Sequence, residues 1–155
     1  MTFTFETRLS IAAPPARVFD ASLDIDAHLA SMEASGETAV AGVTSGLIGL
    51  GETVTWRAKH FGVTWRMTSK IVELERPLRF VDEQVKGPFR NFRHEHVFHP
   101  EGEGTLMTDV ISFEAPLGPL GLIAERLILN AYLPKLIDER NDYLKTQLES
   151  ESSSG

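Results

Sequence analysis

The stretch NFRHEHVFHPEGEGTLMTDVISFEA, residues 91–115, contains two runs of alternating apolar and polar residues on either side of a glycine-rich turn. Alternation with a period of two is typical of a half-buried β-strand, because successive side chains point to opposite faces of a sheet. The turn, Pro100 to Gly104, is short enough to join the two runs as antiparallel neighbours. The stretch therefore predicts a hairpin of strands Asn91–His99 and Thr105–Ala115.

Similar runs precede this hairpin along the chain. Residues 2–11 alternate Phe3, Phe5, Leu9 and Ile11 with polar residues, and further runs follow after Gly36. The breaks between them carry Gly or Pro, as in Gly87-Pro88, which marks turns. The predicted strands are residues 2–11, Glu37–Ala41, Glu52–His60, Val63–Glu75, Arg79–Lys86 and the two strands of the hairpin. We expect an antiparallel sheet of about six to seven strands.

Helices are predicted on both sides of this group of strands. Pro15 opens a short helix, and a second short helix follows over Asp24–Ala34. Apolar residues recur every three to four positions over Pro119–Leu148, which predicts a long helix, kinked at Pro134 by the loss of a backbone donor. An antiparallel sheet with one apolar face needs a cover, and this helix is the element able to supply it. The predicted class is α+β, a curved sheet wrapped around the C-terminal helix with a cavity between them.

Composition limits the chemistry. The chain has 155 residues and no Cys, which excludes disulfides, thiolate zinc sites and cysteine nucleophiles. We expect one domain over residues 1–148 and a disordered polar tail over 149–155. The N-terminus has no secretory pattern and no stretch is apolar enough for a membrane span, so we expect a cytoplasmic protein without stable membrane insertion.

Charge is unevenly distributed. The net charge is −7, which disfavours nucleic acid as a partner. Residues 56–93 nevertheless hold nine Lys and Arg against four Asp and Glu. Arg57, Lys59, Arg66, Lys70 and Arg93 are predicted on the outer sheet face. They form either a solvated, aggregation-resistant surface or a contact for an anionic partner.

The hairpin also places polar residues on the face predicted to point inward. His94 and His96 share a strand face with two phenylalanines, and pairing Phe98 with Met107 brings His96 opposite Asp109. The histidines and Asp109 can satisfy each other as a buried pair, orient the polar end of a ligand, or act as acid and base. A His-x-His pair can also bind zinc, but no third ligand is evident, so we predict no metal and no cofactor.

Other inward-facing residues are either cavity wall or plain core. They include Trp56, Ala58, His60, Trp65, Met67, Ser69 and Ile71. Periodicity does not decide whether Asp82 or Glu83 faces inward. The loops Gly42–Gly51 and Pro116–Gly121 carry apolar residues among glycines, which is typical either of caps folded onto the core or of a mouth that opens for a hydrophobic ligand.

The order of elements and the local motifs resemble the SRPBCC superfamily of START-like, Bet v 1-like and polyketide-cyclase-like helix-grip proteins, and most of all its small bacterial ligand-binding branch. The matching stretches are IAAPPARVFD, GETVTWRAKHFGVTW, FVDEQVKGPFRNFRHEHVF, TLMTDVISFEAPLGPLG and LIDERNDYL. The resemblance covers about residues 3–145 and favours Asp82 over Glu83. It marks Asp82, Gly87, Pro88, Phe89, His94, His96, Asp109, Pro116, Gly118 and Arg140.

Two hypotheses from different classes follow. The main one is a non-enzymatic binder or carrier of a small hydrophobic molecule, lipid-like or aromatic, held between sheet and helix. The alternative is a cyclase, dehydratase or hydrolase that uses His94, His96 and Asp109 as acid and base. A third possibility is an interaction module acting through the basic sheet face. The predicted ligand-binding residues are Trp56, Trp65, Met67, Asp82, Phe89, Phe92, His94, His96, Met107, Asp109, Ile111, Phe113, Leu127 and Arg140.

Overall fold

Seven antiparallel strands form one sheet in the part of the chain that the computed structural model describes, which is residues 2–60, 62–115, 118, 119, 121, 122 and 131–154. The strands are β1 (Thr2–Ile11), β2 (Thr38–Gly42), β3 (Thr53–His60), β4 (Val63–Glu75), β5 (Arg79–Lys86), β6 (Asn91–Glu101) and β7 (Gly104–Glu114). The helices are α1 (Pro15–Leu23), α2 (Ile25–Ser31), a short 3₁₀ turn (Glu33–Ser35) and α3 (Tyr132–Ser154). This confirms the predicted helix-grip fold.

Strands β2 to β7 form a meander, in which each strand pairs with the next one along the chain, and β1 is added at the edge beside β7. The strand order is β1-β7-β6-β5-β4-β3-β2, so β1 pairs with the last strand. The β6–β7 register pairs Phe98 with Met107 and His96 with Asp109, as predicted. Register shifts in the β4–β5 ladder fall between Thr68 and Ser69 and between Ile71 and Glu73. Irregularities of this kind bend and twist a strand, which helps the sheet curve around α3.

Local sequence explains the two short helices. Pro15 occupies the first turn of α1, where a missing backbone donor costs nothing. Asp24 caps α2, because its side chain accepts hydrogen bonds from the backbone nitrogens of Asp26 and Ala27 at 2.9 and 3.3 Å. The second helix was predicted over Asp24–Ala34. In the structure α2 is shorter, and the 3₁₀ turn follows it.

The C-terminal helix differs from its prediction at both ends. It begins at Tyr132, after Ala131 with a positive φ of 54°, so Pro134 lies in its first turn, where proline is tolerated, and produces no interior kink. Of the predicted stretch before it, Pro119, Gly121 and Leu122 are helical, and residues 120 and 123–130 lie outside the described residues. It continues to Ser154, where a disordered tail was expected. The last turns are held by Glu149, which accepts from Ala12 N at 2.8 Å, and Glu151, which pairs with Arg17 at 2.7 Å.

The apolar core consists of two clusters. One joins α1 and α2 to Phe98 and Met107, near the turn of the β6–β7 hairpin, and to Leu144 and Leu148 of α3. The other is built on Phe92, Ile111 and Phe113, against which Leu133 and Ile137 of α3 pack. No helix among the described residues is long and apolar enough to cross a membrane.

Candidate functional site

Polar side chains interrupt the inward face of the hairpin between the two core clusters. Along β6 this face reads Phe92, His94, His96, Phe98, and the outer two residues belong to different clusters. Asp109 interrupts β7 in the same way, between Met107 and Ile111. Buried polar groups need partners, and Asp82, Arg140 and Asn141 provide them. We call these six residues the inner polar cluster: Asp82, His94, His96, Asp109, Arg140 and Asn141.

Asp109 is the centre of this cluster. It is fully buried and its Oδ1 accepts from His94 Nε2 at 2.7 Å and from Arg140 Nη1 at 3.3 Å. Its Oδ2 accepts from Asn141 Nδ2 at 2.8 Å. Because Arg140 and Asn141 are neighbours on α3, this carboxylate ties the helix to strand β7.

His96 has a different partner. Its Nε2 lies 2.8 Å from Asp82 Oδ2 on β5, which resolves the choice between Asp82 and Glu83 in favour of the inward-facing Asp82. Its Nδ1 is 3.3 Å from Asp109 Oδ1 but outside hydrogen-bond geometry, so this buried atom has no partner among the described residues. The ring stacks between Phe80 and His94, at centroid distances of 4.1 and 3.6 Å.

Burial and the neighbouring charges together set the charge states of the cluster. Burial and the neighbouring His96 lower the pKa of His94 to about 4, and the hydrogen bond to Asp109 offsets this only in part. Burial alone would raise the pKa of Asp109, but the His94 hydrogen bond, His96 and Arg140 hold that pKa well below its usual value. Burial likewise opposes ionisation of Asp82, yet its hydrogen bond from His96 keeps the Asp82 pKa below the usual value. At neutral pH His94 is therefore an uncharged imidazole beside two carboxylates.

A cavity of about 210 Å³ lies next to the inner polar cluster. Its wall is largely apolar and aromatic and includes Trp56, Trp65, Met67, Phe89, Phe92, Ile48, Leu133 and Ile137. Asp82, His94, His96 and Arg140 line one part of it. An apolar wall with a few convergent polar groups is typical of a small-molecule site.

Four polar residues that are only partly buried also line the cavity, and we call them the mouth residues: His28, Glu37, His60 and Tyr132. His28 Nε2 and Glu37 Oε1 are 2.5 Å apart, and the His28 ring lies against Trp56 at 4.3 Å between centroids. His60 Nδ1 and Tyr132 Oη are 2.9 Å apart and join β3 to the start of α3. Burial lowers the pKa of His60, and Glu37 opposes that shift.

The structure brings together most of the residues predicted to bind a ligand. Nine line the cavity: Trp56, Trp65, Met67, Asp82, Phe89, Phe92, His94, His96 and Arg140. Asp109 lies behind His94, and Met107, Ile111 and Phe113 are fully buried in the core clusters and do not line the cavity. Leu127 lies outside the described residues, as do Pro116, Leu117 and Leu120 of the Pro116–Gly121 loop. In the other loop Ile48 is buried against the core, whereas Leu47 and Leu50 are exposed.

Sequence reasoning missed most of the mouth. It placed His60 toward the cavity but not His28, Glu37 or Tyr132. These three come from α2, from the residue before β2 and from the start of α3, so no local pattern links them. Only the position of His60 at the end of a strand with an inward aromatic face gave a signal.

Donor atoms of Asp82, His94 and His96 lie within 4.8 Å of one another, close enough for a metal ion to be considered. The two imidazoles, however, are stacked with an angle of 19° between their planes. Since a metal ion lies in the plane of each imidazole that binds it, nearly parallel stacked rings do not point at one ion at the usual distance of about 2 Å. In this arrangement the donor set suits hydrogen bonding better than coordination.

Comparisons with known proteins agree with the fold. The family model described as polyketide cyclase / dehydrase and lipid transport matches residues 2–149. No curated protein matches the chain.

Solved structures share the fold at low sequence identity. TTHA0849 from Thermus thermophilus is 20% identical with a TM-score of 0.77, covering 97% of this chain and 99% of its own. The Zhui aromatase/cyclase from Streptomyces sp. R1128 is 15% identical with a TM-score of 0.72, covering 96% and 94%. Ara h 8.0201 is 15% identical with a TM-score of 0.63, covering 97% and 99%. At these identities the likeness concerns the fold alone.

Proposed function

This chain belongs to the polyketide cyclase/dehydrase and lipid transport family, part of the helix-grip superfamily that its sequence resembles, and we propose that it binds a small, mostly apolar, neutral molecule. The observation that carries the proposal is the cavity between sheet and α3, with an aromatic wall and a buried polar cluster at one side. Apolar surface supplies the affinity of such a site, and the few polar groups fix the orientation of the ligand.

Cavity size favours a small ring system. An engineered cavity of about 150 Å³ in another protein binds benzene, and pockets for drug-sized ligands start at roughly 300 Å³. The cavity of about 210 Å³ lies between these values. We therefore favour a molecule of one or two fused rings over a lipid with two acyl chains.

Charge favours a neutral ligand. The inner polar cluster holds two carboxylates, Asp82 and Asp109, against one guanidinium, Arg140, and His94 is uncharged at neutral pH. Whichever protonation state His96 takes, the cluster has no net positive charge with which to balance a buried anion. A carboxylate on the ligand would therefore enter an already anionic or neutral site, which is unfavourable.

Hydrogen-bonding capacity favours a hydroxyl group. His94 Nε2 is engaged by Asp109, which leaves Nδ1 of this cavity-lining residue as an acceptor. Arg140, which also lines the cavity, is a donor. A hydroxyl group can donate to His94 and accept from Arg140, whereas a ketone can only accept. The ligand class that we propose is a neutral aromatic alcohol or phenol.

The test uses three probes of one size: 2-naphthol, 2-naphthoate and naphthalene. We expect 2-naphthol to bind at least about tenfold more tightly than either of the others. Naphthalene lacks the hydrogen bond to the buried polar groups, and 2-naphthoate would bury a charge without a partner. Ala58→Phe, which fills the cavity from β3, should abolish binding. Thr64→Phe on the outer face of β4 is the size-matched control. Absence of binding by all three probes would overturn the proposal, and so would binding that Ala58→Phe leaves unchanged.

Acid–base catalysis is the second candidate, and one arrangement favours it. A buried carboxylate, Asp109, orients a cavity-lining imidazole, His94, as in many general-base sites. Its low pKa weighs against this role, because a base with a pKa of about 4 is a weak proton acceptor at neutral pH. A cyclisation or dehydration that His94→Gln slows at least a hundredfold, while the affinity for 2-naphthol falls no more than about tenfold, would establish catalysis.

A further inference from the structure

The outer face of the β3–β4 hairpin has an unusual composition. Cross-strand partners on this face are Thr53 with Lys70, Thr55 with Thr68, Arg57 with Arg66 and Lys59 with Thr64. We call these eight residues the outer hairpin face. It consists of threonine, arginine and lysine alone, with no acidic residue, in a chain whose net charge is −7.

The cations of this face differ from the neighbouring arginines in their ion pairs. Neighbouring Arg79 and Arg93 form ion pairs with Glu73, Glu83 and Glu95. By contrast Arg57, Lys59, Arg66 and Lys70 form no ion pair within 4 Å among the described residues, although Lys70 lies across the ladder from Glu83. Arg57 and Arg66 are both exposed and directly opposite each other. Like charges in that position destabilise a sheet, so the face carries a cost that an external anion would relieve.

The same hairpin also forms part of the cavity mouth. Its inward face supplies Trp56, His60 and Trp65 to the cavity, and His60 contacts Tyr132 at the start of α3. Val63, next to the turn, is 37% exposed. The outer hairpin face and this part of the cavity lining therefore belong to the same two strands.

We propose that the outer hairpin face docks the protein reversibly on an anionic membrane surface, with the β3–β4 turn and the cavity mouth nearest the lipid. The orientation of the mouth toward the lipid rests on the proposed function. Anionic lipid attracts clustered Lys and Arg side chains within about one Debye length, which is about 10 Å at 0.1 M salt, so more distant carboxylates of this acidic chain are screened.

A membrane fits these observations better than an acidic protein does. Small apolar ring compounds partition into lipid, so a carrier of them gains by opening toward a bilayer. The eight described residues of the outer hairpin face include no aromatic or large apolar side chain of the kind that protein interfaces use as hot spots. Electrostatic attraction without insertion is also reversible.

The experiment measures co-sedimentation of the full chain with two kinds of vesicle. One is pure phosphatidylcholine and the other is equal parts phosphatidylcholine and phosphatidylglycerol. We expect binding only to the second, and its loss at about 0.5 M salt. The double variant Arg57→Gln/Arg66→Gln should weaken vesicle binding roughly tenfold or more. The control Arg8→Gln/Lys145→Gln removes the same charge on β1 and in the later part of α3, away from the mouth residues, and should bind like the unmodified chain.

Three results would overturn the proposal. They are equal binding to both kinds of vesicle, equal loss in both double variants, and no vesicle binding together with tight binding to polyglutamate, which would assign the face to an acidic protein instead. Binding of 2-naphthol is measured in the same variants. If vesicle binding behaves as expected but the unmodified chain does not bind 2-naphthol, the docking surface stands and the proposed ligand class fails.

Discussion

His96 lies directly opposite Asp109 in the β6–β7 ladder, yet the two side chains do not form a hydrogen bond. Asp109 accepts instead from His94, which lies two residues before His96 on β6, at 2.7 Å. His96 turns to Asp82 on the next strand at 2.8 Å. Two carboxylates thus each hold one of two stacked imidazoles, and Arg140 and Asn141 connect this arrangement to α3.

Asp109→Asn is expected to be strongly destabilising. The change removes the counter-charge of Arg140, which is 4% exposed, and leaves a buried guanidinium without an anion. Breaking a buried pair on one side costs about 3–5 kcal/mol, and urea denaturation would measure it. Asp20→Asn, which breaks an exposed pair with Arg76, should cost no more than about 1 kcal/mol. Similar losses in the two variants would contradict the central role of Asp109.

The free energy of unfolding should fall as pH is lowered from about 6.5 to about 4. His94 has a folded-state pKa of about 4 and an ordinary value near 6.5 when unfolded, so between these values the unfolded chain binds the extra proton. The resulting loss is on the order of 3 kcal/mol by pH 4. His94→Gln, which cannot titrate, should flatten this part of the curve.

The lowered pKa values of Asp82 and Asp109 act in a different window. Their contribution to stability is present above about pH 4 and is lost below it, as the carboxylates become protonated. The His94→Gln variant should therefore keep its acid denaturation below pH 4. If its pH dependence between 6.5 and 4 matches that of the unmodified chain, the assignment of that slope to His94 is wrong.

Tautomers of the two histidines offer a separate test. Ionised carboxylates only accept hydrogen bonds, so His94 must carry its proton on Nε2 toward Asp109, and His96 must carry one on Nε2 toward Asp82. Long-range ¹H–¹⁵N spectra at pH 7 should show His94 as a neutral Nε2–H imidazole. An Nδ1–H tautomer or an imidazolium at His94 would contradict the proposed acceptor role toward a ligand.

Periodicity predicted the fold well because alternation and turn residues act locally. The strand Val63–Glu75 was predicted with both of its bounds, and the first helix was predicted with its first residue, Pro15. The position of His96 opposite Asp109 also followed, since the short turn fixes the hairpin register. The register did not, however, predict the hydrogen-bond partners, because His96 bonds to Asp82 and not to Asp109. Side-chain rotamers choose among several acceptors within reach, and Asp82 comes from a third strand whose facing side periodicity left open.

Longer-range assembly explains the other differences. Met107, Ile111 and Phe113 share a strand face with Asp109, so alternation correctly placed them inward. It could not separate wall from core, because that depends on what α1, α2 and α3 place against each residue. The start of α3 at Tyr132 was missed for a similar reason, since the apolar pattern continues through Pro134 and only the backbone turn at Ala131 marks the boundary.

Tyr132→Phe should loosen the mouth without unfolding the protein. The phenol is the group through which His60 contacts the start of α3, with an oxygen–nitrogen distance of 2.9 Å, and one such hydrogen bond contributes about 1 kcal/mol. We expect amide hydrogen exchange in residues 58–60 and 133–137 to accelerate about fivefold, while the midpoint of global unfolding stays nearly constant. Tyr143→Phe, on the same helix but away from the cavity lining, is the control. Unchanged exchange in both segments, or equal acceleration in the control, would show that the His60–Tyr132 contact does not hold the mouth closed.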